Sequence, residues 1–131
     1  MNLGVSPDVV SRQLRIPDQE ADPDDGHRFL VERLWPRGIK KEALQMEEWL
    51  KDIAPSGALR RWFGHDPGKW DEFRRRYAAE LDTKPEAWRL VLAMVRRDRV
   101  TLLYSARDTK HNSAIALRNY LRHKLQKGER H

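Results

Sequence analysis

The segment Val100 to Ala106, VTLLYSA, restricts the fold more than any other part of the chain. It is almost unbroken in apolar and β-favouring residues, and it gives way abruptly to the polar run RDTKHN, Arg107 to Asn112. A half-exposed strand alternates apolar with polar side chains. A run without alternation fits a strand covered on both faces, as at the centre of a parallel sheet. A second strand is expected within HRFLVERLW, over Phe29–Arg33, stopping at the punctuation of Pro36 and Gly38. Val9 to Ile16 is a further strand candidate. The stretch Pro17 to Gly26, PDQEADPDDG, is acidic, rich in turn residues and without apolar periodicity, so it reads as a loop.

Between the strands the apolar spacing becomes helical. Ala43, Met46, Leu50 and Ile53 step by three and four, which predicts an amphipathic helix over Lys40 to Ile53, ended by Pro55. Ser56 is placed to cap a short helix, GALRRWF, closed by Gly64. Asp66 as N-cap and Pro67 at the first turn open another, with Trp70, Phe73, Tyr77 and Leu81 on one face. On its outer face Asp71 is expected to pair with Arg75, and Glu72 with Arg76. Thr83 begins the next helix, turning Trp88, Val91, Leu92 and Val95 inward. The last helix, from about Asn112 to Gln126, carries Ala114, Leu117, Leu121 and Leu125 on one stripe.

The order strand, strand, several helices, strand, helix defines an α/β class. The expectation is a small single domain over residues 1–131, with a three- or four-stranded, largely parallel sheet surrounded by helices. Residues 1–11 are read as a loose N-terminal segment. A chain of 131 residues suits one domain with a real core. No stretch approaches the roughly 20 apolar residues of a membrane helix. The start, MNLGVSPDVVSRQLRIP, lacks the basic-then-apolar pattern of a secretory signal, so a cytoplasmic protein is expected. With no cysteine there is no disulfide, thiolate nucleophile or cysteine metal cage. Neither cofactor nor metal is expected.

Ligands of open parallel sheets gather beyond the carboxyl ends of the strands. Two predicted strands end in conspicuous residues: Arg33, Trp35 and Arg37 in RLWPRG, and Ser105, Arg107, Asp108, His111 and Asn112 in YSARDTKHN. Parallel strands put both sets on one rim, beside the free amides opening the last helix. Arginine forks next to such donors suit a phosphate or carboxylate, with Arg37 and Arg107 as the main holders and Trp35 as a wall. Asp108 and His111 are the candidate proton-transfer groups. Each residue also has a structural explanation. Arg37 and Arg107 fit ion pairs with Asp108 or the Asp18–Asp25 loop, Trp35 fits rim packing, and Asn112 or Asp108 fits a helix cap. In WFGHDP, Trp62 and Phe63 read as core, while His65 has no structural task and joins the ligand-binding candidates.

The net charge of +6 is uneven: residues 96–131 hold ten Lys or Arg against Asp98, Asp108 and Glu129. That basic end makes nucleic acid the alternative partner, through Arg118, Arg122, Lys124 and Lys127. A partner-binding module without catalysis is the third reading. Glycine-rich phosphate loops, GxSxG elbows and HExxH metal helices are absent from the sequence.

Three separated stretches, DDGHRFLVERLWPRG, LKDIAPSGALRRWFGHDPGKWDEFRRRYAAEL and VTLLYSARDTKHNSAIALRNYL, resemble the DUF488 family in its short YeaO-like branch. The resemblance runs from about residue 12 to 125 and implies a small bacterial α/β domain of unassigned activity. Longer relatives carry cysteine and histidine in the loop after the final strand. Tyr104 and Asn112 stand here where the cysteines would fall, so thiol chemistry does not carry over. The resulting expectation is a small anionic ligand held at the carboxyl rim, with an enzymatic role left open.

Overall fold

The computed structural model describes residues 7–14 and 22–128. Asp8–Gln13 forms β1, His27–Leu30 β2, Glu48–Trp49 β3 and Arg99–Tyr104 β4. The helices are α1 (Gly57–Phe63), α2 (Trp70–Asp82), α3 (Pro85–Val95) and α4 (Ser113–Gly128). The four strands form one sheet in the order β1-β4-β2-β3, and every pairing is parallel. β4 therefore lies inside the sheet, with Val100 to Tyr104 all buried. The unbroken apolar run has the two-sided cover that its composition requires.

Alternate residues of the strands serve different neighbours, because successive side chains point to opposite faces. Val9, Phe29, Val31, Val100, Leu102 and Tyr104 join one core cluster with the buried residues of all four helices. Leu30 and Leu103 face the other way and pack with Ile39 and Leu44, flanked by Leu14, Trp35, Met46 and Trp49. The helices thus gather on one face, and the irregular segment after β2 covers the other. On that second face Asp25, only 8% exposed, accepts from Arg28 Nη1 at 2.5 Å and Arg12 Nη1 at 2.6 Å. Thr101 Oγ1 donates to the Asp25 carbonyl at 2.7 Å. Buried charge is tolerable only when paired and hydrogen-bonded, and this knot meets both conditions. Beside it Gly26 has φ 65°, and a Cβ there would lie 2.2 Å from the Arg99 carbonyl oxygen. Only glycine combines that dihedral with that approach.

The helix expected over Lys40 to Ile53 does not form. The segment instead makes 3-10 turns at Lys41–Ala43 and Lys51–Ile53 on either side of β3. Its amides have better partners than each other: Glu47 N donates to Arg28 O at 2.7 Å and Leu50 N to Leu30 O at 2.8 Å. Arg28 Nε takes the Gln45 carbonyl at 2.6 Å. Leu44, off the predicted stripe, turns inward while Ala43 is exposed, and Ile53 is buried from a 3-10 turn, so the three-and-four spacing was coincidental. Tertiary pairing overrode local periodicity.

Smaller differences follow the same logic. β2 starts two residues before Phe29 and ends at Leu30, although Val31 N still reaches Leu103 O at 3.3 Å. Thr83 closes α2, its Oγ1 donating to Glu80 O at 2.7 Å, and Lys84 precedes α3. Asp66 caps the 3-10 turn Pro67–Lys69 that leads into α2. On α2 Asp71 pairs with Arg74 instead of Arg75, and Glu72 takes both Arg75 and Arg76. Residues 8–11, expected in the loose end, belong to β1, and the expected strand's last residues, 15 and 16, lie outside the described residues. So do residues 17–21 of the acidic loop, which continues as a 3-10 turn, Pro23–Asp25.

His27, at the start of β2, joins two distant segments. Its Nδ1 lies 2.5 Å from Glu47 and its Nε2 3.1 Å from Asp98. An imidazole facing a carboxylate on each nitrogen satisfies both only when doubly protonated. The bond to Glu47, then that to Asp98, raises its pKa above the ordinary 6.5. A raised folded value means that this stabilisation is complete below the unfolded value and disappears as pH rises through the folded one. Urea denaturation of the native chain should therefore show stability falling from about pH 6.5 upward relative to H27Q. Parallel pH profiles for the two proteins would remove this role from His27.

Candidate functional site

The carboxyl ends of β2 and β4 open into a cleft of about 550 Å³. Val31 to Leu34 contribute from the end of β2, and Tyr104 to Asp108 from the end of β4. Ala54, Pro55 and Arg60 form the α1 side, His65 the lip beyond it, and Asn112 to Ala114 the start of α4. The parallel arrangement thus collects the polar ends of two strands at one place.

Most of the expected residues meet here. Arg33, His65, Ser105, Arg107, Asp108 and Asn112 all line the cleft. Arg33 is anchored by its Nε to the Pro55 carbonyl at 3.1 Å. Three expected members lie elsewhere. Trp35 donates its Nε1 to Ile39 O at 2.5 Å and stands edge-on to Trp49, inside the second core cluster. Arg37 is exposed beside Gly38, whose φ is 79°. His111 turns away, its ring 5.3 Å from that of Trp70 in an edge contact. The strand ends three residues before Arg33, and the chain then folds back over the sheet, carrying Trp35 and Arg37 off the rim.

The loop after β4 is held by its own side chains. Asp108 Oδ1 accepts from Lys110 N at 2.9 Å and His111 N at 3.0 Å, and Oδ2 faces His111 Nδ1 at 3.0 Å. The Lys110 amide, followed by the His111 side chain, holds the Asp108 carboxyl below its ordinary pKa. A carboxylate kept ionised this way is a loop brace and a poor proton donor. Asn112 is buried; its Nδ2 donates to Asp108 O at 2.9 Å and its Oδ1 accepts from Ile115 N at 2.9 Å. Gln13 Nε2 ties β1 to the same loop through Ala106 O at 2.7 Å.

The sequence reading missed Glu32, Arg60 and Ser113. Glu32 accepts from the Ser105 amide and, at 2.9 and 2.8 Å, from its hydroxyl. It joins the ends of β2 and β4. Its signal was present in the alternation of HRFLVERLW, which gives Glu32 the opposite face to Arg33. Arg60 carried no such signal, because nothing in GALRRWF reveals that α1 borders the strand ends. Arg33, Arg60 and Arg107 share the cleft lining with Glu32 and Asp108. Among the described residues neither Arg60 nor Arg107 forms an ion pair. No group of acids and histidines suited to a metal ion occurs among the described residues. None of their helices is long and apolar enough to cross a membrane.

The fold and the cleft define a small α/β domain with an open, arginine-lined rim at the strand ends. The model of the inactive DUF488-N3 subclade, DUF488-N3i, matches residues 12–131, and the chain belongs to this family, in its YeaO-like branch. It is 42% identical over 102 residues to the uncharacterized protein YeaO of Escherichia coli K12, covering 78% of this chain and 89% of that one. It is 51% identical over 63 residues to uncharacterized proteins Rv3073c of Mycobacterium tuberculosis H37Rv and Mb3100c of Mycobacterium bovis. Those matches cover 48% of this chain and about half, 53%, of each mycobacterial protein. No solved structure matches the chain.

Asn112 links the loop brace to the first turn of α4, and its loss leaves Ile115 N and Asp108 O without these partners. N112A should lower the unfolding free energy by about 1–2 kcal/mol. N112D keeps the cap acceptor but loses the amide donor, and should fall between the two in urea denaturation at neutral pH. Unchanged stability in N112A would mean that water replaces both bonds without cost.

Proposed function

We propose that the cleft binds a small anionic ligand, a phosphate or carboxylate, and does not turn it over. The observation that carries this reading is the pair Arg60 and Arg107, both lining the cleft and both without an ion pair among the described residues. Arg33 is already oriented by Pro55. The two acids of the cleft are occupied, Glu32 by Ser105 and Asp108 by its own loop. Guanidinium groups free of carboxylates are the usual partners of a planar or tetrahedral oxyanion. The first turn of α4, with Ser113 and Ala114 in the lining, adds a favourable field.

Two features support binding without catalysis. The matching family model is described as an inactive subclade. Asp108 and His111, the proton-transfer candidates, are engaged in bracing the loop, and His111 lies outside the cleft lining. A bacterial cytoplasm suits the cysteine-free chain and the bacterial relatives. The basic α4 supports nucleic-acid binding less well. Arg122 lies 3.4 Å from Asp8 and Lys124 3.7 Å from Asp82, so part of its charge is already answered within the fold.

Thermal unfolding in sodium phosphate or sulfate, against sodium chloride at equal ionic strength, tests the reading. An anion at about a hundred times its dissociation constant adds roughly 2.7 kcal/mol of stability. R60Q and R107Q should lose most of that gain, while R37Q, outside the cleft, should keep it. Equal stabilisation by all three salts, unchanged in R60Q and R107Q, would refute anion binding at this site. Retention of single-stranded or duplex DNA at low salt, abolished by changing Arg118, Arg122, Lys124 and Lys127 to Gln, would favour α4 as the binding surface instead.

A further inference from the structure

A second, smaller cavity of about 180 Å³ adjoins the cleft between α1 and the start of α4. The two share Arg60, His65, Ala106, Asn112 and Ser113, so a ligand in one reaches the other without crossing the protein. The annex differs in character from the cleft. Phe63 and Phe73 enter its wall, stacked on each other with centroids 4.4 Å apart and planes 26° from parallel. Gly57 leaves space where any other residue would place a side chain, and the nearest atom to a Cβ there is the Arg61 guanidinium, at 3.2 Å. A volume of about 150 Å³ is enough for one benzene ring, and here polar groups share the lining with the apolar ones.

His65 stands at the lip shared by both cavities. It follows Gly64 directly, and both residues are left-handed, with φ 54° and 58°. At Gly64 that conformation costs nothing; at His65 a side chain is held where glycine would be easier. The ring stays on the lip, 6.4 Å from that of Phe63 and exposed. His65 accepts no partner and caps no helix among the described residues, so no structural task accounts for a side chain at this dihedral. Phe63 in the lining, with Phe73 buried behind it, the guanidinium groups of Arg60 and Arg61 and the exposed imidazole of His65 together favour a flat π-system over a saturated group.

We propose that the ligand class of this site is an aryl or heteroaryl anion, its ring in the annex against Phe63 and His65 and its phosphate or carboxylate group on Arg60 and Arg107. This rests on the anion-binding reading of the cleft and narrows it to ligands with a ring joined closely to the charge. Arg60, bordering both cavities, sets that short spacing.

Calorimetric titration of the whole chain with inorganic phosphate, phenyl phosphate and cyclohexyl phosphate tests the class. Phenyl phosphate should bind at least about tenfold more tightly than inorganic phosphate, because burying a ring removes apolar surface from water. Cyclohexyl phosphate should fall below phenyl phosphate. G57L fills the annex from a position that does not line the cleft, and its new Cβ meets only the end of Arg61's side chain. It should cancel the advantage of phenyl phosphate and leave inorganic phosphate unchanged. H65G should reduce the same advantage without lowering the melting temperature, an outcome that a structural role for His65 would not give. Inorganic phosphate binding as tightly as phenyl phosphate, cyclohexyl phosphate matching the phenyl ester, or an advantage that survives G57L would each overturn the ring assignment and leave the anion site standing. Binding of none of the three ligands would remove both.

Discussion

The two-sided burial of β4 is the constraint on which the rest of the molecule depends. Its main chain bonds to β1 on one side and β2 on the other, and its side chains enter both core clusters. Leu102 and Leu103, both fully buried, face opposite layers. Removing either side chain to Ala would cost about 2–5 kcal/mol in a core of this kind. A strand so placed leaves its neighbours little freedom. β1 and β2 must run parallel to it, the helices must supply one cover, and something else must supply the other. That second cover is irregular, and the ionic knot of Asp25 with Arg12 and Arg28 anchors its edge.

What was legible in the sequence divides along this line. VTLLYSA announced its burial because a short, unbroken run of apolar and β-favouring residues fits a strand covered on both faces. The helices α1 to α4 were legible because caps and one-sided stripes coincide there: Ser56 bonds Leu59 N, and Phe73, Tyr77 and Leu81 all turn inward. The covering segment between β2 and α1 was not legible. Its apolar residues follow the sheet surface, which has no period of its own, and Met46, Leu50 and Ile53 mimicked a helix by chance. The same segment explains the fate of the site residues. Arg33 stays at the rim because Pro55 holds it, whereas Trp35 is drawn into the cover by Ile39 and Trp49. Arg60 could not be found at all, since its role depends on where α1 docks.

The loop after β4 shows how structure and candidate function share the same residues. Ser105, Asp108 and Asn112 look like chemistry in the sequence and prove to be braces in the fold. Ser105 receives Glu32, Asp108 gathers two amides and an imidazole, and Asn112 opens α4 while holding the loop's carbonyl. The loop that walls the cleft is thus held at Ser105, Asp108 and Asn112 by side-chain bonds.

That bracing determines which charged groups of the cleft have partners within the fold. If Glu32 and Asp108 were free, they would neutralise two of the three arginines and leave a mixed, self-satisfied surface. Instead Glu32 accepts from the Ser105 amide and hydroxyl, and Asp108 is held ionised by two amides and the His111 imidazole without recruiting Arg107. The carboxylates keep their charge but spend their hydrogen-bonding capacity on holding the strand ends together, and Arg60 and Arg107 stay exposed and outside any ion pair among the described residues. The polar bonding at the ends of β2 and β4 thus leaves Arg60 and Arg107, the arginines of the proposed anion site, without a carboxylate partner among the described residues.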